Sequence, residues 1–320
     1  MNHSSVFLGI DLGGTKIEII ALNANGQTLY RTRTATPSSN HHPSDTQQYQ
    51  AIITTICTLV TQCETQLNQF DLPLGIGIPG AISLKTGTIK NANTVCLIGQ
   101  DLASDLSDQL NRSVKIENDA NCFALSEAVD GAGKDMNTVF AVILGTGVGG
   151  GWVINKHLHI GSNAIAGEWG HNPLPFPSDH DLPKQTCYCG KAACIETYLS
   201  GPGFSQQTHL QFQYKASCPE IIEASTHTQH PFHQAAKKSY QLYVDRLARS
   251  LASVINIMDP DVIVLGGGVS NANALYEDVK RVWHPYIFSD SINTQLVKNV
   301  HGDSSGVRGA AWLNMDRFNS

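Results

Sequence analysis

No run of apolar residues in this 320-residue chain approaches the ~18 needed to cross a bilayer. Positive charge is not in excess either. The 21 lysines and arginines are outnumbered by 27 aspartates and glutamates, for a formal net charge of −6. Nucleic acid and anionic membrane surfaces are bound through basic faces, so neither is an expected partner. The opening MNHSSVFLGID has no basic region, long apolar stretch or small-residue cleavage site, so the compartment is read as cytoplasmic. The G-x-x-x-x-G-K-[ST] phosphate loop is also missing. What remains is an ordinary globular composition, 41% hydrophobic and 15% charged. A chain of this length usually divides into two domains and buries a large core without covalent staples.

Eight cysteines are present, and without a secretion signal they are expected to be reduced thiols. Cys57, Cys63, Cys96, Cys122 and Cys218 are scattered among apolar or mixed neighbours. Cys187, Cys189 and Cys194 instead fall within eight positions, in CYCGKAAC, and His171 lies sixteen residues before the first of them.

Strand-like and helix-like segments alternate along the chain, which predicts an α/β architecture. Apolar runs at 6–10, 17–22 and 138–144 read as strands. Ser44-Asp45-Thr46-Gln47 matches a capping box, and the helix after it repeats apolar residues with a 3.6-residue period. Residues 119–130 and roughly 232–257 read as further helices. The 205–235 stretch is expected to form short helices interrupted by Pro219 and Pro231. A helix is expected to start at Ser270. VFLGIDLGGTKIEIIALN resembles VFAVILGTGVGGGWVIN, a short internal repeat of strand, glycine turn and strand. The repeat suggests two related halves, each offering a tight backbone turn to a shared cleft.

Three glycine turns are candidate phosphate or nucleotide contacts. Asp11-Leu12-Gly13-Gly14-Thr15-Lys16 combines bare amides with a hydroxyl and a cation. Asp11 beside a phosphate implies a bridging Mg²⁺. A plain hairpin turn is the competing reading. In the second turn, Gly145, Gly147 and Gly150 satisfy G-x-G-x-x-G, and Glu168 follows near the spacing of a ribose ligand. A dinucleotide fold needs a helix directly after those glycines, and WVIN reads as a strand. Backbone amides and Thr146 contacting phosphate between two strands fit better. Gly266-Gly267-Gly268 follows a buried strand, and either admits a base or ribose or simply packs closely. In Glu117-Asn118-Asp119, Asp119 either caps the following helix or serves as a general base, with Asn118 orienting the substrate. Glu168 and Glu196 are further acceptors suited to sugar hydroxyls, or ordinary packing carboxylates.

DLGGTK, GIPG, ENDAN, GTGVGGG, GEWGH, CYCGKAACIE and VLGGG occur in the order found in the ROK family of bacterial sugar kinases. The resemblance covers essentially the whole chain. KNANT, AGEWGHNPLP and CYCGK are most similar to fructokinases with mannose activity; N-acetylglucosamine kinases tend to differ just after the Gly-His pair. The resemblance implies an actin-like ATPase fold, two ribonuclease-H-like α/β domains flanking a cleft. Residues 1–120 with a closing helix at 305–320 would form the smaller domain. Residues 121–304 would form the larger, with the zinc loop and the helices of a homodimer.

It also implies ATP phosphate contact by Gly13, Gly14, Thr15 and Lys16 and by Gly145, Thr146 and Gly147, with Gly266 and Gly267 near the adenosine. Asp119 matches the catalytic base. Asn93, Asn118, Glu168, His171 and Glu196 match positions that hold sugar hydroxyls. His171, Cys187, Cys189 and Cys194 match the ligands of a structural zinc; the bland alternative is three inert thiols. Such a metal would fix the His171 ring and leave its other nitrogen facing the sugar. Ala193 departs from the family, which usually has glycine there; a positive φ would strain the loop.

The expected reaction is ATP- and Mg²⁺-dependent phosphorylation of fructose at its 6-hydroxyl, with mannose or glucose as secondary substrates. The alternatives are an N-acetylglucosamine or N-acetylmannosamine kinase, and a non-catalytic sugar sensor. Repressors of the family carry a helix-turn-helix segment ahead of this region, and DLGGTK begins here at residue 11, which leaves no room for one.

Overall fold

The computed structural model describes residues 6–38, 44–92 and 94–315. The chain forms two compact units. The first comprises Met1–Lys134, Lys156–Ile165 and Asp303–Ser320; the second comprises Asp135–Asn155 and Ala166–Gly302.

The first unit opens with β1 (Val6–Leu12), β2 (Lys16–Asn23), β3 (Thr28–Ala35) and α1 (Asp45–Leu67). β4 (Leu74–Ile78), β5 (Ala81–Ile82), β6 (Ile89–Lys90), α2 (Leu102–Leu110), β7 (Val114–Asn118) and α3 (Asp119–Val129) follow. The main sheet has the order β3-β2-β1-β4-β7. β1 pairs antiparallel with β2 and parallel with β4, which pairs parallel with β7. The chain then forms β8 (Thr138–Leu144) and β9 (Val148–Ile154) of the second unit and β10 (His157–Leu158) of the first.

The second unit continues with α4 (Glu196–Leu199), α5 (Gly201–Phe212), α6 (Cys218–Thr226), α7 (His233–Met258), β11 (Val262–Gly266), α8 (Leu275–Val282) and β12 (Gln295–Lys298). Its strands run β9-β8-β11-β12, with the β8–β9 pair antiparallel and the others parallel. The order and directions of β2-β1-β4-β7 therefore recur in β9-β8-β11-β12, and β1–β2 and β8–β9 are the two copies of the sequence repeat. This doubled ribonuclease-H-like arrangement is the actin-like ATPase fold.

β1 reads as an almost continuous apolar run because both its faces are covered. Leu8, Ile10 and Leu12 join a core with Ile52, Ile56 and Val60 of α1. On the other face, Phe7 packs with Trp312 of α9 (Ser305–Trp312), ring centroids 5.4 Å apart. The helix closes onto this unit. Its approach is close enough to require glycine. A Cβ on Gly75 would lie 1.9 Å from the Ala310 carbonyl oxygen, and one on Gly309 would lie 1.6 Å from that of Cys122. The helix α3 packs against α9 and lies in the first unit, although residues 121–130 were grouped with the second from the sequence.

Local signals were mostly obeyed. Ser44 caps α1 by accepting the Gln47 N–H at 3.3 Å. Pro219 does not interrupt a helix: it sits in the first turn of α6, where its missing N–H costs nothing. The helix expected at Ser270 begins instead at Leu275. The Ser270 hydroxyl donates back to the Gly267 carbonyl at 2.7 Å, closing a 3-10 turn at 268–271.

Candidate functional site

In the first unit, β1, β4 and β7 are mutually parallel, so their C-terminal ends share one edge of the sheet. Asp11 pairs in register with Gly77, and Gly77 with Glu117, which carries Asp119 to the same edge as the Gly13-Gly14-Thr15 turn. That turn is tight: the Gly13 N–H donates to the Lys16 carbonyl at 2.9 Å, and the Thr36 hydroxyl donates to the Gly13 carbonyl at 2.7 Å. Gly14 and Thr15 are exposed. Lys16 lies 3.6 Å from the buried Glu18 carboxylate, which also pairs with Arg31, so its charge is partly spoken for. Asp11 is half-buried and its pKa is raised to about 6. Burial contributes most and the Asp119 carboxylate next; Lys16 opposes both.

The cap of α3 is Asn118, whose side-chain oxygen accepts the Ala120 N–H at 2.8 Å while its amide donates to the Gly80 carbonyl at 2.8 Å. Asp119 occupies the first helical position, and its exposed carboxylate shares the Ala120 N–H at 2.8 Å. An exposed carboxylate in this position is able to accept a proton from a bound hydroxyl. Sequence reasoning passed over Thr94. Its hydroxyl is buried with no hydrogen-bond partner among the described residues, and a Cβ on Gly14 would stand 3.7 Å from it. Asn93 lies outside the described residues.

In the second unit, the Gly145-Thr146-Gly147 turn is one residue shorter than the first, with the Gly145 N–H donating to the Gly147 carbonyl at 3.0 Å. The strand β9 follows at once, so the dinucleotide pattern is coincidental. The later glycines of this run serve packing: a Cβ on Gly150 would meet the Gly167 carbonyl at 3.0 Å. Gly266 ends β11, beside β8. Gly267, at φ 81°, turns against the Leu144 backbone, so the second and third glycine turns are neighbours.

His171, Cys187, Cys189 and Cys194 converge, with one ligand atom from each lying within 4.8 Å of all the others. His171 Nδ1 is 3.5 Å from Cys187 Sγ, and Cys189 Sγ is 3.6 Å from Cys194 Sγ. A tetrahedral ion bound at ~2.0–2.3 Å separates its ligand atoms by roughly 3.5–3.8 Å. One nitrogen and three sulfurs thus fit a closed, structural metal centre, and all three thiols are free of disulfides. Ala193 does adopt the left-handed conformation, at φ 58°, which is the strain its non-glycine identity foreshadowed.

The second nitrogen of His171 does not stand open. Nε2 is 2.9 Å from the Tyr188 hydroxyl, a partner missed because the tyrosine lies between two ligand cysteines and reads as filler. Tyr188 is 82% exposed; desolvation of its hydroxyl, with the charges of Glu196 and Glu168, raises its pKa to about 12. Glu168 is exposed, just before the 3-10 turn Trp169–His171. Glu196 points one oxygen at the glycine turn, where Oε2 accepts the Val148 N–H at 3.0 Å.

Residues 7–317 match the ROK family model, and the chain belongs to that family. It is a phosphotransferase acting on a sugar hydroxyl. An N-acetyl-D-glucosamine kinase of Vibrio atlanticus is 38% identical over 97% of this chain and 100% of its own. One from Erwinia tasmaniensis is 37% identical over 97% and 99%. Among solved structures, a ROK glucokinase from Streptomyces griseus, in complex with glucose and AMPPNP, aligns with a TM-score of 0.72 at 25% identity. It covers 98% of this chain and 100% of its own. The sugar-kinase expectation holds, and the two sequence relatives named here are N-acetyl-D-glucosamine kinases rather than fructokinases. No helix among the described residues is long and apolar enough to cross a membrane.

Proposed function

We propose that the protein phosphorylates N-acetyl-D-glucosamine, or a closely related N-acetylhexosamine, with ATP as donor. The observation that carries the transfer chemistry is the carboxylate pair Asp11 and Asp119 beside the Gly13-Gly14-Thr15 turn. The Asp119 carboxylate raises Asp11, and the pair offers one acidic group to a cation and the other to a proton. Asp119 takes the proton of the sugar hydroxyl as the oxygen's electron pair attacks the terminal phosphorus and ADP departs. Asp11 orients the magnesium shell, and the glycine turns present amides to the phosphates. Mg²⁺ supplies charge neutralisation of the phosphate oxygens. Glu168 and Glu196 accept sugar hydroxyls, Asn93 and Asn118 contribute further contacts, and Gly266 and Gly267 lie against the adenosine. Zinc at His171, Cys187, Cys189 and Cys194 shapes that pocket without entering the reaction. A homodimer belongs to the same reading.

The choice of sugar rests on the two kinases that are 38% and 37% identical to this chain. Fructose is the second reading, favoured by KNANT, AGEWGHNPLP and CYCGK. The deciding experiment compares kcat/KM for N-acetylglucosamine, N-acetylmannosamine, fructose, mannose and glucose with ATP and Mg²⁺. An N-acetylhexosamine at least about tenfold ahead of the rest is expected, since a site built to pair a polar substituent rejects sugars lacking it. Fructose in first place would overturn the choice.

A further inference from the structure

We propose that Glu196 is a positioning residue that couples the thiol–imidazole cluster to the Gly145–Gly147 turn, so that metal occupancy sets nucleotide affinity. The inference rests on the reading of that turn as a phosphate contact. Glu196 is two residues beyond Cys194. Its Oε2 accepts the Val148 N–H at 3.0 Å, directly after the turn, and its Oε1 lies 3.8 Å from Cys187 Sγ. The same segment grips the turn a second time: the Gly201 N–H donates to the Gly145 carbonyl at 2.8 Å. Between these two contacts the backbone is continuous through α4, whose first residue is Glu196.

Gly147 is part of the device. A Cβ there would stand 2.8 Å from Glu196 Oε2, so a side chain at 147 would displace the carboxylate from the Val148 amide. On the cluster side, Ile195 donates to the Asn172 carbonyl at 2.9 Å, next to His171. The ligands on both arms of the metal loop thus flank the segment that holds the turn. A cation drawing those ligands together restrains Cys187 and Cys194, and through them Glu196. Loss of the cation frees that segment and loosens the amides offered to phosphate. A residue that only bound sugar would have no reason to hold the Val148 amide.

The test is calorimetric titration of ADP with Mg²⁺, in the absence of sugar, into zinc-loaded and chelator-stripped protein. Stripping zinc and Glu196→Ala are each expected to weaken ADP by about tenfold, the scale of one lost hydrogen bond to a charged acceptor. Because both act through one contact, stripping the Glu196→Ala protein should add little further. Glu196→Gln, whose carboxamide oxygen can still accept the Val148 N–H, should restore most of the affinity. Where Glu196→Ala does not fold, hydrogen exchange of the 145–148 amides in the unaltered protein decides. They should exchange faster after chelation, with β8 amides unchanged. ADP affinity and exchange that both ignore zinc would overturn the coupling. An unaltered, zinc-loaded protein that fails to bind ADP at all would instead overturn the phosphate-contact reading itself.

Discussion

The carboxylate of Asp119 is, after burial, the largest influence raising Asp11, at whose sheet edge it sits. Asp11 shifts from its ordinary 3.8 to about 6, so the folded protein holds that proton more tightly than the unfolded chain does. The stability Asp11 contributes is therefore fully present below pH 3.8 and is lost as the pH rises through about 6. Without nucleotide or magnesium, Asp11→Asn should melt higher than the parent protein at pH 8, by on the order of 5 °C. The gain should shrink as the pH falls through that range. A variant that melts lower at pH 8 would show that Asp11 is not held against its charge.

Asp119→Asn keeps an oxygen that can accept the Ala120 N–H, so the start of α3 should stay intact. Sugar binding and zinc content are expected to be unchanged. Turnover should fall by about 10²–10⁴, the usual worth of a general base. Coupled ADP release measures the loss, and retention of more than about a tenth of the parent rate would remove Asp119 from that role.

At the metal cluster, Cys189→Ser should lose stoichiometric zinc by elemental analysis and bind sugar more weakly. Tyr188→Phe removes only the hydroxyl at His171 Nε2. It should retain zinc but weaken it by about tenfold in chelator competition, as outer partners of metal-binding histidines commonly do. Equal zinc affinity in both proteins would make the Tyr188 contact incidental.

Gly309→Ala drives a methyl into the backbone of α3, 1.6 Å from the Cys122 carbonyl oxygen. It should cost more than the ~1–3 kcal/mol of ordinary overpacking, because backbone must move. Gly268→Ala meets nothing within 4 Å among the described residues and should change stability by less than about 0.5 kcal/mol. Chemical denaturation of the pair should separate them clearly; similar midpoints would mean α9 docks more loosely than described.

Much of this protein was legible in its sequence because the signals are local. Apolar runs at 6–10 and 138–144 specify strands, Ser44 and Gln47 specify a helix start, and the repeated strand–turn–strand marks the doubled sheet. The family resemblance, rather than spacing alone, offered His171 and the three cysteines as one set, and these residues converge in the fold; Ala193, where the family usually has glycine, adopts a positive φ. The tertiary structure decided what depends on partners distant in sequence. It gave the second nitrogen of His171 to Tyr188, turned Glu196 toward Val148, and placed Asp119 beside Asp11. It also assigned Gly75 and Gly309 to the docking of α9. A side chain's type and spacing reveal what chemistry it is able to perform. Only the packed chain fixes which neighbour takes its hydrogen bond, because that choice is set by distances that separate segments reach after the sheets have formed.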